Sequence, residues 1–191
     1  MAAALTKTGY AVVEDALPFA CWEGLRVEAE LLLEGAAFAE GRIGHGVGTH
    51  QDAVTRSDSL CWLDPEMPAG GRYLRWMNDL RLMLNRDLFL GLTAFEAHYA
   101  HFPVGGFYGA HLDRYQDSNA RVLSAVLYCN QDWPADAGGD FVMYDAQGAV
   151  CLTLAPRGGT LILFLSAGAL HEAKAALRGR WSVAGWYRSR Q

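Results

Sequence analysis

The residues with the most chemical promise lie at His111-Leu112-Asp113. On an extended segment, residues two apart share a face. One imidazole and one carboxylate can then grip a single ion while Leu112 turns away. A third ligand must come from elsewhere, and His171 is the best candidate. It follows an apolar run, Thr160–Leu165, and a turn of small residues, Ser166 to Ala169. Two imidazoles and a carboxylate on one side of a cation leave the opposite positions open, which suits non-haem Fe(II). The same set suits Zn(II) with a water in its fourth position. An HxD triplet alone is weak, so the surrounding pattern matters. Arg180 opens the segment 180–187, whose alternation sends Arg180, Ser182 and Ala184 to one side. A guanidinium is costly to bury unless it meets an anion. Its planar fork fits a carboxylate through two parallel hydrogen bonds. A structural ion pair with Asp or Glu is the plainer alternative.

These groups need a frame. Strand candidates crowd the second half of the chain at Thr93–Phe102, Arg121–Cys129, Asp140–Tyr144, Val150–Leu154, Thr160–Leu165 and Trp181–Arg188. Gly, Pro, Asp and Asn separate them, the texture of an antiparallel sandwich or small barrel. Upstream, 9–14 reads as a short strand. A helix is expected from Pro18 to Gly35, with Trp22, Leu25, Ala29, Leu32 and Leu33 as its apolar stripe. A second is expected over Arg72 to Phe89, with Leu74, Met77, Leu80, Leu84 and Leu88 at three- and four-residue steps. Both should buttress one sheet. The fold class is therefore mainly β (α+β). Between the helices, Gly41 to Thr55 is glycine-rich and reads equally as a functional lid or a surface excursion. Its His45 and His50 read as solvated, with contact to substrate as the alternative. His98 and His101 lie on opposite faces of a strand, because their separation is odd, and read as satisfied or surface histidines.

The 191 residues carry a net charge of −5 and are 51% hydrophobic, which predicts one globular domain over 1–191. The acidic balance argues against a nucleic-acid partner, which needs a basic face. The start of the chain does not read as a signal peptide. The longest apolar stretch, Leu161 to Leu165, is too short to span a bilayer. Cys21, Cys61, Cys129 and Cys151 are scattered without pair spacing and read as reduced thiols of a cytoplasmic protein.

The stretch from Phe107 to Arg188 resembles the prolyl 4-hydroxylase branch of the Fe(II)/2-oxoglutarate-dependent dioxygenases. The matching pieces are FYGAHLD, RVLSAVLYCNQDW, GGDFVMYD, PRGGTLILFLS and HEAKAALRGRWSVAGWYR. A weaker likeness runs upstream through GYAVVEDAL, the glycine-rich segment and RSDSLCWLD. It looks closest to the hypoxia-sensing prolyl hydroxylases and their bacterial relatives. The resemblance implies a double-stranded β-helix (jelly-roll, cupin-like) core. It implies Fe(II) held by His111, Asp113 and His171. It implies 2-oxoglutarate as cosubstrate, its distal carboxylate bound by Arg180 and Tyr128, with Ser182 assisting. O2 is the oxidant, and ascorbate is an optional further cofactor.

The implied reaction hydroxylates an unactivated C–H bond, foremost a prolyl residue of a protein or peptide, a translation component among the candidates. Two alternatives stay open. One is a 2-oxoglutarate oxygenase acting on a free amino acid or other small molecule. The other is a non-catalytic metal-binding sandwich or Zn hydrolase. Arg121 and Trp186 match family positions at the substrate entrance; a strand-start charge and ordinary core are their plain readings. Arg56 and Asp58 match a pair at the base of the glycine-rich segment, or form a local salt bridge. One departure stands out. The family usually has a tyrosine before its Pro-Gly turn, where this chain has Phe102. The missing hydroxyl is either absent or supplied by Tyr99 or Tyr108.

Overall fold

Strand β9 (Leu161–Leu165) shows the logic of the fold at its centre. Its run LILFL does not alternate in polarity because both its faces are covered. Leu161 and Leu163 face one apolar cluster, while Ile162 and Phe164 face another. The same division runs along β6 (Arg121–Tyr128), where Leu123, Ala125 and Leu127 point one way and Val126 and Tyr128 the other.

The computed structural model describes residues 1–41, 55–113 and 121–190. In chain order its remaining elements are α1 (Ala2–Thr8), β1 (Tyr10–Val13), α2 (Phe19–Glu34), β2 (Ala39–Glu40), β3 (Ser59–Trp62), α3 (Pro68–Leu88), β4 (Leu92–Phe102), β5 (Tyr108–His111), β7 (Phe141–Tyr144), β8 (Val150–Leu154), β10 (His171–Ala173) and β11 (Arg180–Ser189). Two antiparallel sheets form. The larger runs β1-β9-β6-β11-β4-β3-β2, and the smaller β5-β10-β7-β8. Facing sheets with these long crossovers make the double-stranded β-helix. The helices cover the outer face of the larger sheet. Trp22, Leu25 and Ala29 of α2, with Tyr73, Met77, Leu80 and Leu84 of α3, join Tyr99, Leu123, Leu163, Val183 and Tyr187 in the main core. Among the described residues, no helix is long and apolar enough to cross a membrane.

The second helix begins at Pro68, four residues before the expected Arg72. Its first turn contains Gly70 and Gly71, poor helix formers that hide the start. A side chain at Gly71 would collide with the Pro65 carbonyl, and one at Gly70 would crowd Glu28 and Tyr99. Both glycines therefore serve a close approach. The orphan amides of this turn are capped by another helix. Glu28 of α2 accepts from the Ala69 amide at 2.7 Å, the Gly70 amide at 2.8 Å and the Tyr99 hydroxyl at 2.6 Å. A carboxylate at a helix N-terminus also meets the favourable end of the dipole. Glu28→Ala is expected to cost about 2 kcal/mol in denaturant unfolding, since three donors lose a charged acceptor. Glu28→Gln should cost less. An unchanged unfolding midpoint in Glu28→Ala would refute this.

Helix α1 and strands β2, β3, β5 and β10 were not anticipated. Most are too short for a periodic signal and exist through their partners. Residues 42–54, with His45 and His50, lie outside the described part, so the lid reading for Gly41–Thr55 does too.

Candidate functional site

The two sheets enclose a cavity of about 260 Å³. Its metal end is built where β5 meets β10. His111 and His171 are direct cross-strand partners, so their rings face the same side. Asp113 follows two residues after His111, as an extended segment requires. The Asp113 carboxylate lies 3.7 Å from Nε2 of His111 and 3.7 Å from Nε2 of His171. One candidate ligand atom from each residue falls within 4.8 Å of the others. These separations are too long for hydrogen bonds, yet the lone pairs converge.

The tautomers are set. Nδ1 of His111 donates to the Gly109 carbonyl at 2.8 Å, and Nδ1 of His171 donates to the Ala169 carbonyl at 2.9 Å. Each Nε2 is then left as a lone pair, the state a metal ligand needs. Burial, and then the neighbouring His171, push His111 down to about 4, so its ring is neutral near pH 7. Burial pushes Asp113 up, but the two imidazoles and the Ser124 hydroxyl outweigh that and hold it below the usual carboxylate range. Two imidazoles and one carboxylate therefore fit a divalent cation such as Fe(II). Aromatic rings lock the ligands: Tyr108 stacks on His111 at 3.6 Å, and Phe164 meets His171 edge-on at 4.7 Å.

The opposite end holds Arg180. It is 2% exposed. Its Nη1 donates to the Gly139 carbonyl at 2.6 Å, while Nε is buried without a partner among the described residues. Among the described residues no carboxylate pairs with it, so the structural ion-pair reading is not what is seen. Asn130 steadies the adjoining backbone by donating to the Trp181 carbonyl and accepting from its amide. Tyr128 and Ser182 are register partners and, with Arg180, line the same cavity. Burial raises the Tyr128 hydroxyl to about 12, so it stays protonated as a donor. This set is short of an anion.

Phe102 turns its ring face to Arg180, with the guanidinium carbon 4.0 Å from the ring centre. Tyr99 does not supply the missing hydroxyl. Its side chain lies on the helix side of β4, committed to Glu28. Odd-numbered positions there face the helices, while His98, Ala100 and Phe102 line the cavity. Tyr108 lines the metal end and carries Arg56 over its ring at 4.2 Å.

The mouth gathers the remaining predicted residues. Arg56 forms a two-pronged pair with Asp58 at 2.6 and 2.5 Å. Arg121 lies over the Trp186 ring at 3.5 Å and approaches Glu96 at 3.6 Å. Trp186 is thus cavity wall, not core. Glu172 contributes to the rim, its carboxylate held by Tyr144 and Lys174. His98 and His101 do lie on opposite faces. His101 stacks on Trp181. His98 lies in the cavity wall between Trp62 and Trp186. The parity that separated the two histidines also groups His98 with Phe102, the signal that could have placed it. Trp62 had no such signal, because β3 is defined by its pairing with β4 and β2.

The profile of the 2OG-Fe(II) oxygenase superfamily matches residues 97–188. A crystal structure of a Pseudomonas putida prolyl-4-hydroxylase is 34% identical, covering 100% of this chain and 97% of that one, with a TM-score of 0.89. A Trichoplax adhaerens prolyl hydroxylase, solved with a hypoxia inducible factor oxygen degradation domain peptide, is 21% identical. The match covers 98% of this chain and 87% of that one, with a TM-score of 0.87. The non-heme alpha ketoglutarate dependent epimerase SnoN from nogalamycin biosynthesis shares the fold at 17% identity, 98% and 81% coverage and a TM-score of 0.72. No curated protein matches the chain.

Proposed function

As the chain belongs to the 2OG-Fe(II) oxygenase superfamily, we propose that it hydroxylates a prolyl residue of a peptide or protein. One observation carries the reading: a single cavity joins the His111–Asp113–His171 cluster to a buried Arg180 that has no carboxylate partner among the described residues. Metal chemistry at one end and an anion site at the other suit a cosubstrate that spans the two.

His111, Asp113 and His171 would hold the iron. With iron bound, O2 and 2-oxoglutarate supply the oxidation that converts C–H to C–OH, leaving succinate and carbon dioxide. The chain itself binds and orients. Arg180 offers a planar fork to the far carboxylate of 2-oxoglutarate, and Tyr128, protonated, adds a donor, with Ser182 beside it. Asp58 neutralises Arg56, so that cation does not compete for the anion. At the mouth, the aromatic faces of Trp62 and Trp186 suit a prolyl ring, which is apolar and lacks an N–H. Arg121 braces Trp186. The 34% identity to a prolyl-4-hydroxylase over the whole chain supports this substrate class.

The test offers the iron-loaded protein 2-oxoglutarate, air and acetylated pentapeptide amides with a central proline, together with intact proteins that include translation components. A gain of 16 Da on proline, matched by succinate, is expected. Oxidation confined to free amino acids or other small metabolites would defeat the reading.

A further inference from the structure

His98 has no part in the metal cluster or the anion site, yet it lines the cavity. It is 5% exposed, held edge-on to Trp62 at 5.2 Å and tilted against Trp186 at 5.5 Å. Nδ1 faces the Tyr99 carbonyl at 3.2 Å. A carbonyl only accepts, so Nδ1 carries the proton and Nε2, at the far end of the ring, is a lone pair. Among the described residues Nε2 has no hydrogen-bond partner. Burial lowers this imidazole to about 4, so it stays neutral near pH 7.

The neighbouring wall is rich in donors. The Arg121 guanidinium and the two indoles donate and cannot accept. The carboxylates are committed: Asp113 to the metal cluster, Asp58 to Arg56, and Glu172 to Tyr144 and Lys174. On the Trp62–Trp186 side, His98 is thus the uncommitted side-chain acceptor among the described residues. A peptide that inserts a prolyl ring here brings amide N–H groups from the flanking residues. Those amides lose water on docking. Leaving one unsatisfied costs on the order of tenfold in affinity, about 1.4 kcal/mol.

Resting on the prolyl reading above, we propose that His98 is a specificity-determining residue whose Nε2 accepts a hydrogen bond from the amide N–H of a residue flanking the target proline. The site therefore favours a substrate with a backbone donor beside the prolyl ring, and disfavours one that lacks it.

The probe is the acetylated X-X-Pro-X-X amide that the wild-type protein hydroxylates best, with two analogues in which an ester replaces the amide whose N–H flanks the proline on either side. Peptide affinity is read by tryptophan fluorescence, with iron and 2-oxoglutarate bound and oxygen excluded. Peptide KM is read in air. His98→Leu is expected to weaken peptide binding and raise peptide KM about tenfold, while the KM for 2-oxoglutarate stays within twofold. His98→Gln, which keeps an acceptor, should recover most of the loss. One ester should bind wild type about tenfold more weakly than the amide does, yet bind His98→Leu no more weakly. The inference fails if His98→Leu binds the amide like wild type. It also fails if both esters lose as much in His98→Leu as in wild type, or if both KM values rise together. If wild type hydroxylates no prolyl peptide, the prolyl reading itself falls and takes this inference with it.

Discussion

His111→Ala is expected to abolish iron retention and hydroxylation together. His111 is one of three donors, and its Nε2 is aimed by the Gly109 carbonyl behind it and by the Tyr108 ring stacked at 3.6 Å. Alanine removes the donor and leaves those two supports with nothing to orient. Disturbing a residue behind a ligand already costs roughly 10–100-fold in metal affinity. Removing the ligand should exceed that, and activity should fall below detection. Metal analysis after desalting, with iron-dependent succinate release, makes the measurement. His111 is half-buried at the edge of the cavity and not in the main core, so the variant should fold, and its circular dichroism should match wild type. Full iron content with wild-type succinate release would remove His111 from the ligand set.

Arg180→Met is expected to raise the KM for 2-oxoglutarate by roughly 30-fold to several thousand-fold, the range that 2–5 kcal/mol spans when one partner of a buried, hydrogen-bonded charge pair is lost. In the ligand-free protein Arg180 is a buried cation whose Nε has no partner among the described residues, and burial lowers its pKa. Such a group is a poor source of stability. Methionine fills much the same volume without the charge, so the ligand-free protein should melt no lower than wild type. The signature is the split. In wild type, 2-oxoglutarate should raise the melting temperature, because a ligand that binds only the folded state stabilises it. In Arg180→Met that rise should vanish. Arg180→Lys should not restore it, since an ammonium cannot present the planar fork. A normal cosubstrate KM in Arg180→Met would place the anion site elsewhere.

The local pattern reached far in some places and stopped short in others. The HxD spacing, the parity of Arg180 and Ser182 and the strand texture after residue 91 follow from the two-residue repeat, a property of the chain itself. The odd separation of His98 and His101 set them on opposite faces, and the structure agrees. Which of those faces meets the cavity is decided by what packs on β4: the helices on the Tyr99 side, the small sheet on the His98 side. The same fact excludes Tyr99 from the anion site, although it is only three residues from Phe102.

By itself, the sequence determined the donor types, their spacing along each segment and the resemblance that ties them to iron and 2-oxoglutarate. Those are short-range features, carried by residues within one strand or one motif. Tertiary structure alone brought His111 against His171 through the β5–β10 pairing, left Arg180 buried without a carboxylate among the described residues, started α3 four residues early through a carboxylate from α2, and lined the mouth with Trp62 and His98. Each of these depends on contacts between segments tens of residues apart. Such contacts form only when burial of both faces of β6 and β9 compensates for ordering the chain between them.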